Sequence, residues 1–87
     1  MKDKSARAKT QRVLVVKVDR ENLRSYTYPI FVPDGLSVEK ILEISKKFVN
    51  VGDFLIIGEK TFRRVRGGWR EATDDDIAEL VVSTISP

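Results

Sequence analysis

The chain has 87 residues, enough for one domain with a modest core and too few for two. It contains no Cys and no His, so disulfides, thiolate metal sites and the two commonest general-base and thiol-nucleophile options are excluded. With an apolar fraction of 41% and a charged fraction of 33%, its stability must come from packing.

The net charge of +3 is unevenly spread. Residues 1–12 carry five bases against Asp3, and residues 59–72 carry five bases against Glu59 and Glu71. Residues 13–58 balance, and residues 73–87 hold four acids and no base. The expectation is of distinct basic and acidic faces. Gln occurs once and Asn twice beside many charges, which is the thermophile pattern. No run approaches the roughly 20 apolar residues of a membrane span. The opening MKDKSARAKTQR has no leader-type apolar core. A cytoplasmic location is expected.

Residues 1–11 lack apolar periodicity and read as a flexible basic tail, with residues 12–87 forming one α+β domain. Val13 to Val18 is a β-branched run that suits a covered strand. Ser25 to Val32 alternates, with Tyr26, Tyr28, Ile30 and Val32 on one face. It predicts an antiparallel partner to the first strand. Pro29 cannot donate to a ladder, so this second strand belongs at an edge. Tyr26 and Tyr28 are expected as core or sheet-face residues rather than stacking platforms.

Pro33-Asp34-Gly35 is a turn, and Ser37 is a natural N-cap. Val38, Ile41, Leu42, Phe48 and Val49 recur at helical spacing, predicting a helix over 38–49. Phe54 to Ile57 is a short central strand. Gly58-Glu59 suits a two-residue turn that sets Ile57 opposite Lys60 and Leu55 opposite Phe62. Gly67-Gly68 would close a second hairpin, with Arg66 opposite Trp69 and Arg64 opposite Glu71.

Thr73 before three aspartates predicts a capped helix through Ile77, Leu80, Val81 and Ile85. The alternative makes residues 80–85 a strand, since they are rich in β-branched residues. The predicted order is β-β-α-β-β(-β)-α, a largely antiparallel sheet packed on one or two helices. With residues 80–85 as a strand the layout resembles the β-grasp fold of ubiquitin-like domains. The family's exposed C-terminal Gly-Gly is absent, because this chain ends Ile85-Ser86-Pro87.

Nothing here reads as a catalytic centre, a metal site or a cofactor loop. No serine sits in a nucleophile-elbow context, and Asp74-Asp75-Asp76 reads as an acidic helix start. An enzyme is not expected. The stretch Lys60 to Arg70, KTFRRVRGGWR, carries the functional signal. Arginine offers a planar fork matched to phosphate. Phe62 and Trp69 offer flat faces for unpaired bases. The expected nucleic-acid site is Lys60, Arg63, Arg64, Arg66, Gly67, Gly68, Trp69 and Arg70, extended by Lys2, Lys4, Arg7, Lys9 and Arg12 of the tail. The structural alternative is a solvated hairpin in which Arg64 pairs with Glu71 and the aromatics close the core rim.

In build, on residues 2–12 and 60–70, the chain resembles the small accessory ribosomal proteins of archaea. That resemblance implies docking to rRNA without chemistry. The competing expectation is a protein-interaction module with no nucleic-acid role, meeting its partner at the Tyr26–Pro29 edge or the acidic 74–79 segment.

Overall fold

The computed structural model describes residues 9–22 and 24–85, the side chains of residues 82–85 excepted. Among the described residues, five strands and two helices follow in the order β1 (Thr10–Asp19), β2 (Arg24–Pro33), α1 (Val38–Ser45), β3 (Phe54–Ile57), β4 (Lys60–Val65), β5 (Gly68–Glu71) and α2 (Asp74–Ile85). This is the predicted small α+β domain. The strands form one open sheet in the order β2-β1-β3-β4-β5, with every ladder antiparallel.

The two faces of β1 are both used, as its β-branched run requires. On one face Val13 and Val15 meet Leu55, Ile57, Ile41 and Val49, with Phe62 and Trp69 at the rim. On the other face Val16 and Phe54 are buried, and α2 crosses this side from β4 and β5 toward β2. Fully burying a side chain such as Phe54 or Ile41 contributes about 1.5–3 kcal/mol.

Helix α1 begins as expected, with the Ser37 hydroxyl accepting from Lys40 N–H at 3.2 Å. It is shorter than the predicted 38–49. Phe48 N–H turns back to Ser45 O at 2.9 Å, a tightened three-residue step. That turn leaves Phe48 half exposed and buries Val49.

The last element is a helix, so the β-grasp alternative is not taken. Thr73 and Asp76 explain why. Thr73 Oγ1 accepts from Asp76 N–H at 3.2 Å while Asp76 Oδ2 accepts from Thr73 N–H at 2.8 Å. This reciprocal cap satisfies two orphan donors at the helix start and overrides the β-branched composition downstream.

Two sequence expectations need correction. The first strand starts at Thr10, so Thr10 and Gln11 belong to the sheet and not to a tail, and the Lys9 carbonyl is tied to it by Asp34 N–H. The second hairpin turns at Arg66-Gly67, with Val65 opposite Gly68, Arg64 opposite Trp69 and Phe62 opposite Glu71. Gly67 takes the left-handed conformation, φ +85°, which leaves Gly68 free to pair as a strand residue. The shift from the expected register is two residues, so each side chain keeps its predicted face. The Gly58-Glu59 turn has the expected register.

The backbone parity of β2 follows from one bond. Asp34 N–H donates inward to Lys9 O at 2.8 Å, and the β1–β2 register runs without a bulge. Even-numbered residues of β2 therefore face β1, while Ser25, Thr27, Pro29, Phe31 and Pro33 point their backbones outward. Two of those five positions have no N–H to offer. The edge is as the proline predicted, and it is interrupted in its middle.

Candidate nucleic-acid interface

The Arg-rich hairpin is built inward. Arg63, on the α2 face of β4, is 8% exposed. Its Nη1 donates to Asp76 Oδ1 at 2.6 Å and to Glu79 Oε1 at 3.1 Å. Its guanidinium carbon stands 5.0 Å from the Phe54 ring centroid. Burial pulls the Arg63 pKa down, but the two carboxylates outweigh it and hold the group above its ordinary value. Arg70, its cross-strand neighbour, gives both Nη groups to the same Asp76. Asp76 accepts from Arg70, Thr73 and Arg63, and its carboxyl lies well below the usual carboxylate range for that reason.

Arg64 lies on the other face. Its Nη1 donates to its own chain at Val65 O and Gly68 O, and its guanidinium sits 5.8 Å from the Trp69 ring centroid. Trp69 is half-buried against the core, and its Nε1–H donates to Leu42 O at 2.9 Å. Its ring is a wall of the α1 layer rather than an open platform. Gly67 and Gly68 form the turn and the start of β5.

Of the hairpin set, Lys60 and Arg66 alone are exposed without an ion pair among the described residues. They lie at opposite ends of β4, about 20 Å apart. The expected hairpin site is therefore divided: Arg63 and Arg70 are held by Asp76, Arg64 by backbone carbonyls, and Lys60 and Arg66 stay open. The acidic 73–79 segment, expected as a separate face, pairs with Arg63 and Arg70, while Arg64 and Arg66 nearer the turn meet no carboxylate among the described residues. Arg20 joins from the β1–β2 turn, 2.9 Å from Glu79. The Arg64–Glu71 pair of the structural alternative is also absent, because Arg64 opposes Trp69.

Lys2, Lys4 and Arg7 lie outside the described residues. Lys9 and Arg12 are exposed and make no ion pair among the described residues. The registers place them at the same end of the sheet as the Gly58–Lys60 turn. Asp34 and Glu59 share that end, and Asp34 Oδ1 accepts from Gly35 N–H.

Directly across the ladder from Arg12 stands Phe31. It is 65% exposed, more than any other large apolar side chain described. Arg12 and Phe31 share the α2 face with Leu14 and Ile56, which are half-buried. Helix α2 covers Arg63 and reaches Arg20, at the other end of the sheet. The upper part of this face is thus an open β surface with an aromatic ring, an adjacent guanidinium and Lys9 at its rim. The sequence placed Phe31 on a strand face but had no signal that α2 would leave it uncovered.

No family model matches this chain, and no curated protein or solved structure does so either. No helix among the described residues is long and apolar enough to cross a membrane. No group of acidic side chains among them is arranged to hold a metal ion.

Proposed function

We propose that this protein binds nucleic acid, RNA in the first instance, at an unpaired stretch laid across the open end of the sheet. The observation that carries it is the Arg12–Phe31 cross-strand pair, exposed and without an acid partner among the described residues. A solvated phenyl ring costs apolar hydration in the free protein and regains it when a base stacks on it. The neighbouring guanidinium meets the phosphate that such a base carries. Lys9, and the basic Lys2, Lys4 and Arg7 that precede it in the chain, add diffuse attraction. The role is docking without chemistry, as an accessory component of a ribonucleoprotein particle.

Strand addition by a protein partner finds less support. The β2 edge would need a run of outward N–H donors, and Pro29 and Pro33 remove two of five. The β5 edge has four residues and carries Arg70 and Glu71.

The test is fluorescence anisotropy with labelled single-stranded RNA and DNA and with duplex RNA, at low and moderate salt. Phe31→Ala should weaken single-strand binding by about 1–3 kcal/mol, the worth of one stacked base. Arg12→Glu should weaken it and flatten the log–log salt slope by about 0.7 or more. Wild-type affinity in both variants would overturn the assignment.

A further inference from the structure

We infer that the cleft at the far end of β2, on the α1 face, is a second subsite for a nucleobase with its phosphate. This rests on the nucleic-acid reading for the polymer, and adds to it an open cleft. The cleft has a volume of about 390 Å³ and is lined by Lys17, Tyr26, Asn50, Val51 and neighbouring residues. Tyr26 is 52% exposed and stands across the ladder from Lys17. Val51, 61% exposed, lines the same cleft from the loop between α1 and β3.

The chemistry of the lining selects its occupant. Two carboxylates are present, but both are engaged by their own chain. Asp19 accepts from Glu21 N–H, Asn22 N–H and the Asn22 amide. Asp53 accepts from Val18 N–H at 3.1 Å and lies 3.5 Å from Lys17 Nζ. The polar groups left without a partner among the described residues are the Tyr26 hydroxyl and the Asn50 side-chain amide. An amide that both donates and accepts, beside an aromatic ring and a valine wall, suits a planar ring with polar edges. An aliphatic side chain would leave those polar groups unpaired. The carboxylates disfavour a phosphate inside the cleft, so the phosphate sits at the mouth. There Arg24, exposed on the same face, makes no ion pair among the described residues, whereas Lys17 is held by Asp53.

The two platforms belong to one strand. Phe31 and Tyr26 are five residues apart on β2, about 17 Å, and on opposite faces. A flexible single strand can cross the unpaired edge between them, where no further β-strand pairs. The same pocket chemistry would take a free mononucleotide, and the experiment separates the two sources.

The experiment is an amide NMR titration of the full chain with adenosine monophosphate and, separately, with a single-stranded RNA of about twelve nucleotides. Wild type is compared with Tyr26→Ala, Tyr26→Phe and Phe31→Ala. Expected are shifts at Asn50, Val51 and Gly52 with the RNA, lost in Tyr26→Ala and kept in Tyr26→Phe. The RNA affinity of Tyr26→Ala should fall roughly 5- to 150-fold, as for one stacked base. Cleft shifts with the mononucleotide as well assign the pocket to the base and phosphate alone. Cleft shifts with the mononucleotide but not the RNA make it a free-nucleotide site and overturn the shared path. No cleft shift with either ligand overturns the subsite. In that case the first platform still stands if Phe31→Ala weakens RNA binding, and falls with it if not.

Discussion

Arg63 and Asp76, thirteen residues apart in the chain, form a buried ion pair with Nη1 2.6 Å from Oδ1. The pair joins the centre of β4 to the first turn of α2. Asp76 also caps its own helix and holds Arg70, so one carboxylate ties hairpin, cap and helix together. Two bases of the stretch that looks made for an external anion, Arg63 and Arg70, are thereby satisfied by an internal one.

Removing that carboxylate leaves a buried guanidinium uncompensated. Asp76→Ala should destabilise the protein by about 3–5 kcal/mol, or abolish its cooperative unfolding transition. Asp76→Asn retains shape but not charge and should lose most of the same stability. Urea denaturation followed by Trp69 fluorescence measures both. A loss under 1 kcal/mol would show that the network is dispensable.

The same group sets an acid limit. Its folded pKa is depressed, by Arg70 first and then by Thr73 and Arg63, below the unfolded value near 3.9. The stability it contributes is therefore fully present above about pH 4–5, and drains as the pH falls through the depressed value. Asp19, held low by Asn22, has the same sign. The stability gap between wild type and Asp76→Asn should be constant from pH 5 to 8 and narrow toward pH 2. A gap that widens in acid contradicts the assignment.

Trp69 is the only tryptophan, and its N–H is tied to Leu42 O. Trp69→Phe keeps a ring at the core rim but removes the N–H that Leu42 O accepts. The expected cost is about 1 kcal/mol, read as a lower denaturation midpoint at unchanged slope. No change in midpoint would mean that the indole bond contributes nothing to the α1 layer.

Pro29 interrupts the outward edge of β2. Pro29→Thr restores an N–H in the middle of that edge and should promote self-association, visible as a concentration-dependent mass in light scattering. If the variant scatters as wild type does, something other than the proline guards the edge.

Charge reversal separates the two basic surfaces. Arg66→Glu, at the hairpin turn, should change stability by no more than about 0.5 kcal/mol and leave nucleic-acid affinity close to wild type. Arg12→Glu should lower affinity by a clear margin in the same titration. The reverse ranking would return the site to the hairpin.

Much of the fold was legible along the chain because it depends on local rules. The β1 run, the edge role of Pro29, the Ser37 cap, the Gly58-Glu59 register and the Thr73 cap each rest on a few neighbouring residues. The hairpin turn moved by one residue, and its register by two, because either glycine could supply the left-handed residue and side-chain alternation cannot distinguish registers that differ by two. The sequence by itself determined that arginines and carboxylates would be present in the right number and on definite faces of their elements. Only the tertiary structure decided which would meet, because pairing across β4 and α2 depends on the angle at which the helix crosses the sheet. That crossing buried Arg63 and left Phe31 in water, and no local pattern in the chain encodes the difference.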